Sequence, residues 1–260
     1  MDGETQLTGT VIGAAITVHR ALGPGVDEAA YEEALSAKLT NLGVAHERQK
    51  PLPILYKGAI LDCGFRLDLQ VEGRLPIELK AVESILPIHE AQLLTYMRLG
   101  RYPLALLINF EVALLKDGIR RMVLANPGLL SSPASVERRD GFDPLSGELL
   151  HAALEVHRAL GPGLLRSAYE ECLCHELSSR GLYFERASRI PLRFEDRQLA
   201  TSAKIPLVVA GQVPVFCLSV ASLTPLHEAI LLARLRQTEW PYGLLLNFNA
   251  LDQGIRRLTR

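Results

Sequence analysis

Asp68 and the triplet Glu78-Leu79-Lys80 lie ten residues apart inside ILDCGFRLDLQVEGRLPIELKAVE, residues 60–83. The stretch alternates polar and apolar positions like two strands, and Glu72-Gly73-Arg74 is its only turn signal. A three-residue loop there sets Val71 opposite Leu75, Asp68 opposite Glu78 and Arg66 opposite Lys80. Opposed residues of an antiparallel pair share a face. One face then carries Arg66, Asp68, Gln70, Glu78 and Lys80; the other carries Leu67, Leu69, Val71, Leu75, Ile77 and Leu79. A two-residue loop would put Asp68 and Glu78 on opposite faces. Paired carboxylates repel unless a cation sits between them, and hard oxygen donors suit magnesium or manganese. A lysine beside that cation can orient water or offset charge developing on a phosphate. The hairpin alone equally allows a solvated lattice of cross-strand charges with Lys80 as an exposed strand residue.

Two flanking motifs bear on that choice. Gly25-Val26-Asp27-Glu28-Ala29-Ala30-Tyr31 precedes the hairpin, and Gln92-Leu93-Leu94-Thr95-Tyr96 follows it. With Asp68 and Glu78-Leu79-Lys80, these make residues 7–122 resemble the PD-(D/E)XK nuclease superfamily, and within it the bacterial GxxExxY family. One departure is Leu67, where the superfamily's name has proline. The resemblance implies a magnesium- or manganese-dependent nuclease acting on nucleic acid, most simply DNA. It further implies that Glu28, Asp68, Glu78 and the Leu79 carbonyl hold the metal, and that Lys80 positions or activates water. Gln92 and Tyr96 would orient the lysine or touch substrate, and Arg66 and Arg98 are candidate substrate contacts. A nuclease-like module that only binds nucleic acid or protein is the alternative, and an enzyme acting on a small phosphorylated substrate is a third reading.

The chain repeats itself. HRALGPG occurs at 19–25 and again at 157–163, and the same offset of 138 aligns Tyr31-Glu32-Glu33 with Tyr169-Glu170-Glu171. It also aligns His89-Glu90 with His227-Glu228, and Asn109-Phe110 with Asn247-Phe248. The expected organisation is α/β: two tandem restriction-endonuclease-like domains, 1–124 and 146–260, each a central mixed sheet flanked by helices. Residues 125–145, rich in Pro, Gly and Ser, read as a linker. At the aligned positions Glu28, Asp68, Glu78, Lys80, Gln92 and Tyr96 become Arg166, Pro206, Phe216, Leu218, Ile230 and Arg234. The second copy is therefore expected to be catalytically dead, and Pro206, Val208, Phe216 and Leu218 to be mostly buried. They would fill the emptied cleft or pack on the first copy in a pseudo-dimer, a pairing that leaves room for a homo-oligomeric ancestor or assembly. His19/His157 and His89/His227, kept in both copies, serve either the fold or an interface between copies.

Composition bounds the rest. At 48% hydrophobic and 22% charged, the chain reads as an ordinary globular one, without the apolar run a membrane helix needs. Its N-terminus has no leader pattern, and Cys63, Cys172, Cys174 and Cys217 show no zinc spacing, so reduced thiols in the cytoplasm are expected. A formal net charge of −1 offers no global basic field for nucleic acid, leaving local clusters to supply it. Helical spacing predicts helices over 7–22, Asp27 to about Leu42, 87–100, and Asp117 to about Leu124. Strands are expected near 44–48 or 51–57, then at 60–71, 75–83 and 104–110.

Overall fold

Apolar residues at Leu7, Val11, Ala14, Ala15 and Val18 form one stripe of helix α1 (Asp2–Leu22), and all five are buried. In this computed structural model, which describes residues 2–124, 143–250 and 254–260, that stripe meets α2 (Glu28–Asn41) through Tyr31, Leu35 and Leu39. The two helices cover one face of a five-stranded sheet. Its strands are β1 (His46–Pro51), β4 (Arg66–Val71), β5 (Leu75–Lys80), β6 (Leu104–Asn109) and β7 (Ile119–Val123), side by side in that order. Between β1 and β4 the chain makes a separate small hairpin, β2 (Ile54–Tyr56) with β3 (Ala59–Leu61). Every neighbouring pair in the larger sheet is antiparallel except β5 and β6. Parallel neighbours need a crossover, and α3 (Pro87–Gly100) supplies it. Leu93 and Met97 of α3 pack on Ala105 and Leu107. Covered on both faces, β6 is buried at all six positions, which accounts for its unbroken apolar run.

The helix expected over Asp117–Leu124 is a correction. Only one helical turn, α4 (Leu115–Gly118), forms, and residues 119–123 are the edge strand β7 paired with β6. Gly118 marks the break: a Cβ there would lie 2.1 Å from the Asn109 carbonyl oxygen. That close approach turns the chain back along β6, and eight residues of helical period could not reveal it.

Residues 1–129 and 130–260 form two compact units. Most of the stretch read as a linker, 125–142, lies outside the described residues. Its last residues are instead the start of α5 (Pro144–Leu160), with Asp143 as N-cap. The second unit repeats the first: α6 (Arg166–Ser179), β8 (Phe184–Phe194), β9 (Arg197–Val209), β10 (Val213–Leu218), α7 (Pro225–Arg236), β11 (Tyr242–Asn247) and β12 (Ile255–Thr259). Its sheet runs β8-β9-β10-β11-β12, with β10 and β11 parallel. Each unit is thus a mixed sheet flanked by helices, the α/β architecture expected from sequence. One local difference is large. Where the first unit interrupts its outer strands with β2 and β3, the second builds a single long hairpin from β8 and β9.

The residues shared by both units serve this frame. Tyr31 stacks on Phe110 at 4.3 Å, and its hydroxyl donates to the Gly23 carbonyl; Tyr169 does the same with Phe248, at 4.5 Å, and with Gly161. Asn109 pairs its side-chain amide with both backbone groups of Val82, as Asn247 does with Val220. His89 Nδ1 accepts from Leu86 N and His227 Nδ1 from Thr224 N, so both cap the helix they begin. His19 Nε2 lies 2.9 Å from the Val112 carbonyl.

Candidate active site

The loop Glu72-Gly73-Arg74 joins β4 to β5, and the ladder pairs Val71 with Leu75, Gln70 with Pro76 and Leu69 with Ile77. Beyond Leu69 the backbone pairing stops. Asp68 continues it by side chain, its Oδ2 accepting from Leu79 N at 2.8 Å. The two strands part where a polar cluster is needed.

Lys80 Nζ donates to Glu78 Oε1 and to the Leu79 carbonyl, both at 2.7 Å, and lies 3.5 Å from Glu28 Oε1. Gln92 Nε2 donates to Glu78 Oε1 at 2.6 Å and to the Tyr96 hydroxyl at 3.0 Å, as their one-turn spacing on α3 allows. Glu28 reaches the cluster from the first turn of α2. The structure therefore gathers Glu28, Asp68, Glu78, Leu79, Lys80, Gln92 and Tyr96 in one place. Arg66, exposed, donates to the Gln49 carbonyl at 3.4 Å and so borders it. Arg98 stands two residues past Tyr96, about 200° around the helix axis, on another face of α3.

Lys80 is not the solvated strand lysine expected from alternation. It is 8% exposed, and Glu78 is 1% exposed, because β5 is the inner strand next to β6. Burial governs the electrostatics. It lifts the Glu78 carboxyl to about 7, and the nearby Asp68 charge adds to the lift. Burial also raises Asp68, against the Leu79 N–H and Lys80. For Lys80, burial alone favours the neutral amine, but the Glu78 ion pair outweighs it and the pKa rises.

Sequence reasoning missed Gln49. It lies between Arg48, opposite Leu69, and Lys50, opposite Leu67, and so stands across from Asp68. Its Nε2 donates to Glu32 Oε2 at 2.6 Å and lies 3.5 Å from Asp68 Oδ1. Arg48 holds the other oxygen of Glu32 at 2.7 Å. Gln49 adopts φ 47°, and Ala187, at the same place in the second unit, adopts φ 55°. The left-handed kink is kept while the amide is lost. The one available signal was that Gln49 becomes alanine at the offset where Asp68 becomes Pro206.

The sequence matches one family description twice over: that of the PD-(D/E)XK nuclease superfamily covers residues 5–122 and again 143–258. The chain belongs to the PD-(D/E)XK nuclease superfamily. No curated protein and no solved structure matches it. Nucleases of this superfamily generally use divalent metal ions. Among the described residues, no three acidic, histidine or cysteine side chains already converge as ligands. Instead the Lys80 ammonium sits on Glu28, Glu78 and the Leu79 carbonyl, a monovalent stand-in for a cation on three of the four proposed donors. Glu78 Oε2 is buried with no hydrogen-bond partner, a cost that a bound cation would remove. Carboxylate and carbonyl oxygens are the donors magnesium and manganese prefer. The residues fit the group.

Among its described residues, the second unit has no such cluster at the aligned place. Of the four residues expected to be mostly buried there, only Val208 is; Pro206, Phe216 and Leu218 are half-buried. Phe216 packs against the buried cluster that contains Ile190 and Val208 and against the one that contains Leu231 and Leu235, inside its own unit.

Proposed function

We propose that the first unit is a metal-dependent nuclease of the GxxExxY type that hydrolyses phosphodiester bonds in nucleic acid, DNA in the first instance. The observation that carries this reading is the buried, unpartnered Glu78 Oε2, next to Asp68 and within an ion-paired lysine's reach. Glu28, Asp68, Glu78 and the Leu79 carbonyl would hold magnesium or manganese. When bound, such an ion supplies a Lewis acid that offsets charge on the phosphate and lowers the pKa of adjacent water. Asp68, braced by Leu79 N–H and Gln49, presents its carboxylate at the point where β4 and β5 part. Gln92 holds Glu78 from α3, and Tyr96 holds Gln92. Lys80 keeps an ammonium at the carboxylates, placed to orient water or meet charge developing on phosphate oxygen. Arg66, exposed at the border, is placed to meet the substrate backbone.

The second unit, a degenerate copy on this reading, performs no chemistry, since Pro206, Phe216 and Leu218 provide no metal donor and no ammonium. We place the protein in the cytoplasm, where its four free cysteines stay reduced. Among the described residues no helix is long and apolar enough to cross a membrane.

Magnesium titration by calorimetry, followed by a plasmid cleavage assay, tests the reading. Wild type is expected to bind and cleave, and Asp68→Ala to do neither. Equal metal binding by Asp68→Ala would remove Asp68 from the site.

A further inference from the structure

At the 138-residue offset the second unit replaces neutral or anionic residues of the first with cations. Glu28 becomes Arg166, Pro51 becomes Arg189 and Tyr96 becomes Arg234, while the cation at Arg66 persists as Lys204. Two of these four, Arg166 and Lys204, lie near Glu170, and a third, Arg189, stands opposite Lys204. Arg166 Nε lies 3.5 Å from Glu170 Oε1, one turn along α6. Burial raises the Glu170 carboxyl above its ordinary range, and the charges of Arg166, Arg186 and Lys204 oppose that rise, which locates all three near it. Arg186 is committed elsewhere, to both oxygens of Glu171. Lys204 stands directly opposite Arg189 in the β8–β9 ladder, and both side chains are exposed.

Like charges facing each other across an antiparallel pair destabilise it. Arg189 Nη1 donates to Ser202 Oγ at 3.3 Å, and an anion bound across the pair would relieve the remaining repulsion. The first unit has Pro51 opposite Arg66 at this rung and no such conflict. A second observation agrees: Arg234 Nε is buried with no hydrogen-bond partner, on the helix position that Tyr96 uses to reach the first unit's cluster.

We infer that this face of the second unit, built from Arg166, Arg189, Lys204 and Arg234, binds the phosphodiester backbone of nucleic acid. Separated cations, three of them exposed (Arg166, Arg189 and Lys204), match a string of phosphates better than a single enclosed anion. A further exposed arginine, Arg193, lies on the same face of β8 as Arg189, toward the end of the long hairpin. A two-stranded ribbon is also a shape the major groove admits. The loss of carboxylates and the gain of cations then have one cause: a face that no longer holds a metal has become a face that holds substrate. The inference concerns the second unit alone and stands whether or not the first unit cleaves.

The test is fluorescence anisotropy of a labelled DNA duplex with the full chain, in chelator, over a salt series. Substituting Arg189→Gln together with Lys204→Gln should weaken binding and make the slope of log K against log salt shallower by about 2, one for each lost phosphate contact. Arg189→Glu separates this role from a structural one. Opposite Lys204 it creates a favourable cross-strand pair, so the melting temperature should hold or rise while duplex binding falls. An unchanged salt slope in the double variant overturns the inference. Pyrophosphate binding by wild type, lost in the double variant while duplex binding is unaffected, would also overturn it by assigning the face to a small phosphorylated ligand.

Discussion

Lys80 occupies the ground that a metal ion would need. Its ammonium contacts Glu78, Leu79 O and Glu28, so a divalent cation using those oxygens must push the amine aside. On the proposed reading the two cations would therefore compete for the same donors. Lys80→Ala should abolish cleavage yet bind magnesium at least as tightly as wild type in calorimetry. Weaker binding would mean that the lysine organises the donors instead of competing for them. The same substitution leaves Glu78 with Gln92 as its remaining partner. Because Glu78 already titrates near 7, it can take up a proton, and the expected loss of stability is about 1–3 kcal/mol, below the 3–5 kcal/mol typical of a stranded buried charge, roughly speaking. Denaturation in chelator measures it.

Helix α5 shows how one side chain can anchor an element. Asp143 accepts from Ser146 N at 3.1 Å and Ser146 Oγ at 2.8 Å, and Tyr242 and Arg257 reach it from β11 and β12. Burial works against the charged form, but these donors prevail and lower its pKa to about 2. A folded pKa below the unfolded value of about 3.9 means stability that is present above about pH 4 and lost as pH falls from there toward 2. The carboxylate is 36% exposed, so solvent screens much of this effect. Asp143→Ala should cost the second unit about 1 kcal/mol at neutral pH, as loss of a helix cap does. Asp143→Asn, which keeps a capping oxygen, should cost less and flatten the acid limb between about pH 4 and 2. Trp240, the single tryptophan, lies in the second unit and reports its unfolding. An acid limb unchanged by Asp143→Asn would show that the charge contributes nothing.

Two units with separate cores predict unfolding in two steps. Trp240 should follow only one of them, and far-UV circular dichroism both. On the proposed reading, magnesium held by Glu28, Asp68 and Glu78 would stabilise only the unit that contains them, by about 2.7 kcal/mol at a hundredfold excess over Kd. Saturating magnesium should then raise the transition invisible to Trp240 and leave the tryptophan transition where it was. A shift in the Trp240 transition would place a metal in the second unit, or couple the two units' unfolding.

The repeat, the hairpin and the gathering of Asp68, Glu78 and Lys80 were legible in the sequence, because each rests on local chemistry. A fixed offset needs only comparison, and a strand's period of two tells which residues share a face once the loop is known. Helix α3 was legible from Pro87 to Gly100 for the same reason. Burial was not. Whether Lys80 is solvated depends on which strands flank β5, and that is decided by the α3 crossover, which lays the fully buried β6 beside it. Gln49 was hidden because it meets Asp68 across strands, from a left-handed kink that no residue type announces. Edge strand β7 looked helical until Gly118 was seen pressed against Asn109. The charged face of the second unit needed both kinds of information: the substitutions are in the sequence, but only the β8–β9 register sets Arg189 opposite Lys204.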